Sequence, residues 1–190
     1  MAEFRERLCD AATRLFAERG REGFSMRELA TALGVSPMTP YRYFRDKDDI
    51  LAAVRTRAFD RFADVLERAF AKPGNATERA TAAGDAYMKF AFGERQAYRM
   101  MFDLSQPDEE HYPDLVRATA RARATMTQHV PGLIAEGLLE GDADEIGHVF
   151  WAAIHGAVVL QLAGKLTPEF DFERLRDAVM RALIEGFRSK

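Results

Sequence analysis

The chain has 190 residues, 47% of them apolar and 30% charged. That is enough apolar content for a packed core and too much for a disordered chain. The net charge of −3 divides into about +1 over residues 1–55 and about −4 beyond them, too slight an asymmetry to announce a nucleic-acid partner, so any such reading must come from arrangement. Cys9 is the only cysteine, which excludes an internal disulfide. The opening residues lack the basic-then-apolar order of a secretory signal, and the longest weakly polar run, Val149 to Gly164, is interrupted by His155 and Gln161. A cytoplasmic chain without a membrane span is expected.

Helical spacing recurs from end to end and no window alternates like a half-buried strand, so the fold class is all-α. Phe4, Leu8, Ala11, Ala12, Leu15 and Phe16 mark a first helix that stops before Gly20. Ser25 to Glu28 has the S-x-x-E form of a capping box, and Leu29, Ala30 and Leu33 follow as a short second helix. Gly34 supplies a permissive turn. Ser36-Pro37 then offers an N-cap with proline at the first helical position, which predicts a third helix through Phe44.

Pro40 would stand at the fourth position of that helix. Its missing N–H removes the first intrahelical bond and predicts that Thr39 leaves helical dihedrals. Asp46 and Asp49 can cap a long helix carrying Ile50, Leu51, Val54, Ala58, Phe62, Val65 and Leu66.

Pro73-Gly74 is the next break, and Asn75 to Glu78 offers a further cap before Tyr87, Phe90 and Phe92. Asn75-Ala76-Thr77 is formally a glycosylation sequon, read here as a helix-start turn. Later breaks fall near Gly93, from Ser105 to Pro113, at Pro131-Gly132, at Gly141-Asp142 and at Thr167-Pro168. About nine helices are expected. The run Phe150, Trp151, Ile154, Val158, Leu160 and Leu162 makes the penultimate helix apolar on several faces, whereas Phe172, Leu175, Ala178, Val179, Leu183 and Phe187 form a single stripe on the last. That pair can form a four-helix bundle with its copy in a second chain, which predicts an isologous homodimer.

Two short helices around a glycine turn have the form of a helix-turn-helix, whose second helix enters the DNA major groove. Pro37, Met38, Thr39, Tyr41, Arg42 and Tyr43 crowd a helix too short to bury them all. An ordinary solvated face is the alternative for that stretch alone. Residues 4–54 together resemble the TetR (tetracycline-repressor-like) family of transcriptional regulators. The resemblance rests on Gly23-Phe24-Ser25-Met26-Arg27-Glu28-Leu29-Ala30, Gly34-Val35-Ser36, Tyr41-Arg42-Tyr43-Phe44 and Asp46-Lys47 before Ile50-Leu51.

The resemblance implies a DNA-binding unit over 1–46 and a ligand-binding and dimerisation domain over 47–190. It implies that Ser25, Tyr41 and Lys47 touch phosphates, and that Arg27, Pro37, Met38, Thr39, Arg42 and Tyr43 face the groove. Arg42 can donate two hydrogen bonds to a guanine, and the apolar atoms of Pro37, Met38 and Thr39 can meet thymine methyls. Trp151, His155 and Gly156, with Tyr98 to Phe102, resemble a Trp and His-Gly subgroup of the family.

A ligand pocket for an apolar or aromatic effector is expected among Phe62, Tyr87, Phe90, Tyr98, Met101, Phe102, Trp151 and His155, each of which is otherwise ordinary core. The implied mechanism is repression of a near-palindromic operator, bound as double-stranded DNA by the homodimer and released by a small molecule. No cofactor, metal or catalysis is expected. The competing readings are a helical enzyme or metal site built on Glu145, His148 and His155, and a helical adaptor without a DNA role.

Overall fold

The computed structural model describes residues 2–21, 23–102 and 108–189. Among them are nine α-helices and two 3-10 turns: α1 (Ala2–Arg19), α2 (Met26–Ala32), a turn at Pro40–Arg42, α3 (Lys47–Phe70), α4 (Ala76–Gly93), α5 (Arg95–Met101), a turn at Glu109–His111, α6 (Pro113–Thr127), α7 (Val130–Ala135), α8 (Ala143–Leu162) and α9 (Phe172–Gly186). The all-α class read from the sequence holds. Part of the break expected from Ser105 to Pro113 lies outside the described residues; from Asp108 on it holds the second 3-10 turn and the start of α6.

The chain forms two compact units. The first takes residues up to Arg61 together with Glu94–Arg121, the second Phe62–Gly93 together with the residues from Ala122 on, so the divisions fall within α3 and α6. In the first unit, α1 packs on α2 and α5 around Leu8, Ala12, Phe16, Leu29, Leu51 and Met100, all buried. In the second, α8 packs against α4, α7 and α9, and Val130, Leu139, Ile146 and Phe150 form a core flanked by Met180 and Leu183. A Cβ on Gly147 would stand 2.7 Å from Thr127, so α8 meets the end of α6 where it has no side chain.

Local chemistry explains most helix ends. Ser25 caps α2 in a complete capping box with Glu28, and the helix closes in a Schellman motif. Gly34, at φ 67°, donates to Thr31 O at 3.1 Å, and Val35 donates to Ala30 O at 3.0 Å. Asp46 Oδ1 accepts the Asp49 N–H at 2.8 Å at the start of α3. The sequon asparagine is the cap anticipated: Asn75 Oδ1 accepts from Glu78 N, and Asn75 N donates to Glu78 Oε2, both at 2.9 Å. The Asp142 carboxylate accepts from Glu145 N at the start of α8, and that of Asp171 from Arg174 N at the start of α9.

The third helix is different from the expectation. Pro37 and Met38 form a turn and Thr39 a bend, and only Pro40–Arg42 is helical, as a 3-10 turn closed by Arg42 N to Thr39 O at 3.1 Å and Tyr43 N to Pro40 O at 3.0 Å. Proline at position 40 cannot donate to Ser36, so the α ladder never starts; the Thr39 N–H takes the Ser36 carbonyl at 2.8 Å instead. Thr39 itself, at φ −63° and ψ −46°, stays in the right-handed helical region, contrary to the expected displacement. The tight i to i+3 bonds on both sides hold it there.

By length and composition α8 is the one helix among the described residues able to cross a membrane, although only 28% of its apolar window is buried within the chain. An interface helix of a folded protein passes the same test.

Candidate nucleic-acid interface and effector cavity

The turn from Pro37 to Tyr43 is seated by two buried residues, Pro40 and Phe44. The Arg5 guanidinium covers the Phe44 ring at 4.7 Å. With those two turned in, Met38 is 67% exposed and Tyr41 48% exposed. Pro37 and Arg42 are exposed, while Thr39 and Tyr43 are half-buried. The Tyr43 ring lies 5.3 Å from the Phe4 ring, which pins it to α1. Among the described residues the Arg42 guanidinium has neither an ion-pair nor a hydrogen-bond partner, so its planar fork of donors is available. The segment therefore presents two apolar groups and a guanidinium outward from a short, fixed turn.

Around it, Ser25 and Arg27 are exposed at the start of α2. The Ser25 hydroxyl donates to Glu28 Oε2 at 2.9 Å and accepts the Glu28 N–H at 3.2 Å, so its contact with any phosphate would share an oxygen already used in the cap. Glu28 in turn pairs with Arg19 at 3.0 Å. Lys47 is half-buried: its ammonium donates to the Arg21 carbonyl at 2.9 Å and lies 5.8 Å from the Phe24 ring. Arg21 is fixed by two bonds to Asp48, at 2.9 and 3.0 Å. All nine residues expected at a DNA surface thus stand in one unit, seven of them within the stretch from Pro37 to Lys47.

The second unit contains a cavity of about 600 Å³, the size that takes a drug-sized molecule. Six helices contribute to its wall, α3 through Leu66 alone. From α9 come Arg176, Met180, Ile184 and Arg188, a ridge of side chains four residues apart running onto the helix end. From α4 come Thr77, Thr81, Asp85 and Met88 with Tyr87, and from α8 Phe150, Trp151 and Ile154. Met126, His129 and Leu133 close it from the end of α6 and from α7.

Of the residues expected in a pocket, the wall includes Tyr87 and Trp151. Phe62 and Phe90 are buried behind it, stacked edge-on at 5.3 Å to each other, with Phe62 also 5.3 Å from Tyr87. His155 is not on the wall; its Nδ1 lies 3.4 Å from the Tyr87 hydroxyl, and its ring 6.2 Å from Trp151. Tyr98, Met101 and Phe102 belong to the first unit, where the Phe102 ring meets Tyr98 at 5.1 Å and Phe59 at 6.0 Å. Sequence reasoning weighted aromatic residues and passed over His129 and the α9 ridge. The signal for the ridge was legible in the spacing 176, 180, 184, 188, which a reading of α9 as an interface stripe alone obscured.

His148 and His155 do not converge. His148 Nδ1 lies 2.7 Å from Asp144 O, within its own helix, and among the described residues no three His, Cys, Asp or Glu side chains gather to hold a metal.

Two family models match the chain: "Bacterial regulatory proteins, tetR family" over residues 8–54, and "Tetracyclin repressor-like, C-terminal domain" over residues 80–183. The chain belongs to the TetR family of transcriptional regulators. The HTH-type transcriptional activator FasR of Mycolicibacterium smegmatis is 28% identical over 63% of this chain, so the match spans 55% of that relative's length. An uncharacterized HTH-type regulator of Mycobacterium tuberculosis is 28% identical over 84% of this chain and 71% of its own. A solved structure of a protein of unknown function from Rhodococcus sp. RHA1 superposes with a TM-score of 0.81 at 27% identity, covering 97% of this chain and 95% of that one. Trp151, His155 and Gly156 fall inside the span of the C-terminal model.

Proposed function

We propose that this TetR-family regulator is a homodimeric repressor that binds a near-palindromic operator and is released when an apolar small molecule enters the cavity of its second unit. The observation carrying the DNA reading is the outward face of the 37–43 turn. Met38, Tyr41 and Arg42 are exposed and Pro40 and Phe44 are spent on seating, so the outward groups are those that read bases and phosphates. The proposed contacts are Ser25, Tyr41 and Lys47 to phosphate, and Arg27, Pro37, Met38, Thr39, Arg42 and Tyr43 toward the groove, from a DNA-binding unit over 1–46 and, for Lys47, from the first residue of α3. The sites so assigned hold a duplex and an effector and transform neither, in a cytoplasmic protein.

The dimer reading rests on apolar surface that none of the described residues covers. On α8, Val159 and Leu160 are more than 40% exposed, and a Cβ added to Gly156 would meet no atom within 4 Å. A second copy laid on this strip of small and branched residues can approach closely. Two heads related by that symmetry would address half-sites about 34–36 Å apart or a multiple of it.

Selection of random duplexes by the purified protein tests this. Enrichment of an inverted repeat with that spacing is the expected result, and no enriched sequence would sink the DNA reading. A reporter placed behind the enriched site fixes the sign, repression being lower output with the regulator present.

A further inference from the structure

The arginines of residues 2–46 divide by whether an acid holds them. Arg19 pairs with Glu28, Arg21 with Asp48 and Arg45 with Asp49. Among the described residues the guanidinium groups of Arg5, Arg7, Arg14, Arg27 and Arg42 have no ion pair or hydrogen bond. Arg27 and Arg42 already belong to the proposed DNA surface. Of the other three, Arg5 is fixed directly beside it.

Arg5 is exposed on α1, and its guanidinium covers the Phe44 ring at 4.7 Å. Phe44 is one of the two buried residues that seat the 37–43 turn. The preceding residue of α1, Phe4, meets the Tyr43 ring at 5.3 Å and carries the Arg7 guanidinium over its own ring at 5.4 Å. Two consecutive residues of α1 thus grip two consecutive residues at the end of the turn. The start of α1 and the turn therefore form one surface, with the Arg5 charge at its edge.

A guanidinium laid on a ring spends its face there and leaves the N–H groups in its plane for an oxyanion. The ring also fixes the side chain, so less freedom is lost when a phosphate arrives. Arg14 is the contrast. It lies about 13 Å further along α1 by helical rise, and it lines a small cleft with Asp10, Arg57 and Arg61, none of them part of the turn.

We infer that α1 is part of the DNA interface: the Arg5 guanidinium, shelved on Phe44, bonds a backbone phosphate flanking the bases that the 37–43 turn reads. This rests on the DNA reading above and adds a contact to it that positions the head without reading sequence.

The test rebuilds the operator enriched by duplex selection with single neutral methylphosphonate linkages and titrates the full-length protein by fluorescence anisotropy. Wild type should lose several-fold in affinity at one flanking linkage of each half-site. Arg5→Gln and Arg5→Met, two neutral side chains whose stems can still lie on the ring, should bind the unmodified operator several-fold more weakly and lose nothing further at that linkage. Their plots of log affinity against log salt should flatten by about 0.9 for each contact removed, with the enriched sequence unchanged. Arg5→Lys, which keeps the charge, should retain most of the wild-type loss at the same linkage. Arg14→Gln, the same change on the same helix, should behave as wild type throughout. A linkage profile shared by wild type and the neutral Arg5 variants, or an equal flattening by Arg14→Gln, overturns the inference and leaves the contacts of the turn standing. Failure of wild type to bind any duplex overturns the DNA reading with it.

Discussion

The ammonium of Lys47 lies 2.9 Å from the carbonyl oxygen of Arg21, so the first residue of α3 is tied to the loop before α2. In the proposed DNA complex this charge meets a phosphate and carries no base information. Lys47→Ala should weaken binding to all duplexes alike and flatten the plot of log affinity against log salt by about 0.9. Fluorescence anisotropy over a salt series checks this, and an unchanged slope would remove Lys47 from the phosphate contacts.

Arg42 is the opposite case, an exposed guanidinium with no partner among the described residues. Arg42→Ala should relax preference at one base position, at a cost of about 1–3 kcal/mol on the best site. A repeated duplex selection reads it. If the variant enriches the same sequence as wild type, Arg42 does not read a base.

Pro40 keeps residues 40–42, part of the proposed reading segment, as a 3-10 turn. Pro40→Ala restores an N–H that can reach Ser36 and lets an α turn form, re-aiming Met38 and Tyr41. Stability should move by less than about 1 kcal/mol, since the loss of chain restriction in the unfolded state opposes the gained bond. The enriched operator should change. Urea melts together with selection separate the two effects, and a large loss of stability with an unaltered operator would contradict the account.

Gly147 sits where α8 meets Thr127, and any Cβ there would overlap at 2.7 Å. Gly147→Ala should cost about 1–3 kcal/mol by overpacking. Denaturant unfolding followed by circular dichroism measures it, and a neutral result would mean that the α6 end yields easily.

His129 and His155 are both held below their ordinary pKa of 6.5 by burial. The unfolded chain regains that value and so binds more protons than the folded one between the two. Stability therefore falls as pH drops through the window below about 6.5 and is flat above it. Melting temperatures from pH 8 to pH 5 should show this decline, reduced in His129→Gln. An undiminished decline in that variant would assign the effect elsewhere.

Several helices were legible because they announce themselves twice, by period and by cap: Ser25 with Glu28, Asp46 with Asp49 and Asn75 with Glu78 all stand where the sequence placed them, whereas α5 and α7 have no side-chain cap. The exposed residues of the 37–43 turn were legible for a related reason: with Pro40 and Phe44 buried, Pro37, Met38, Tyr41 and Arg42 are left outside, and Thr39 and Tyr43 half so. What the sequence withheld is whatever depends on how helices meet. Tyr98 and Phe62 are as aromatic as Tyr87, and nothing local says that one lines a cavity while the others fill a core. Thr39 shows the same limit at smaller scale, because hydrogen bonds on both sides overrode the dihedral preference of a residue before proline.

At seven residues α2 is far shorter than a helix that persists alone in water. It exists because Ser25 and Glu28 close one end, Gly34 and Val35 close the other, and Leu29 and Ala30 are buried. Its amide protons accordingly have no private route to solvent: they should exchange with deuterium in a single cooperative event shared with α1, so that the head opens as one block.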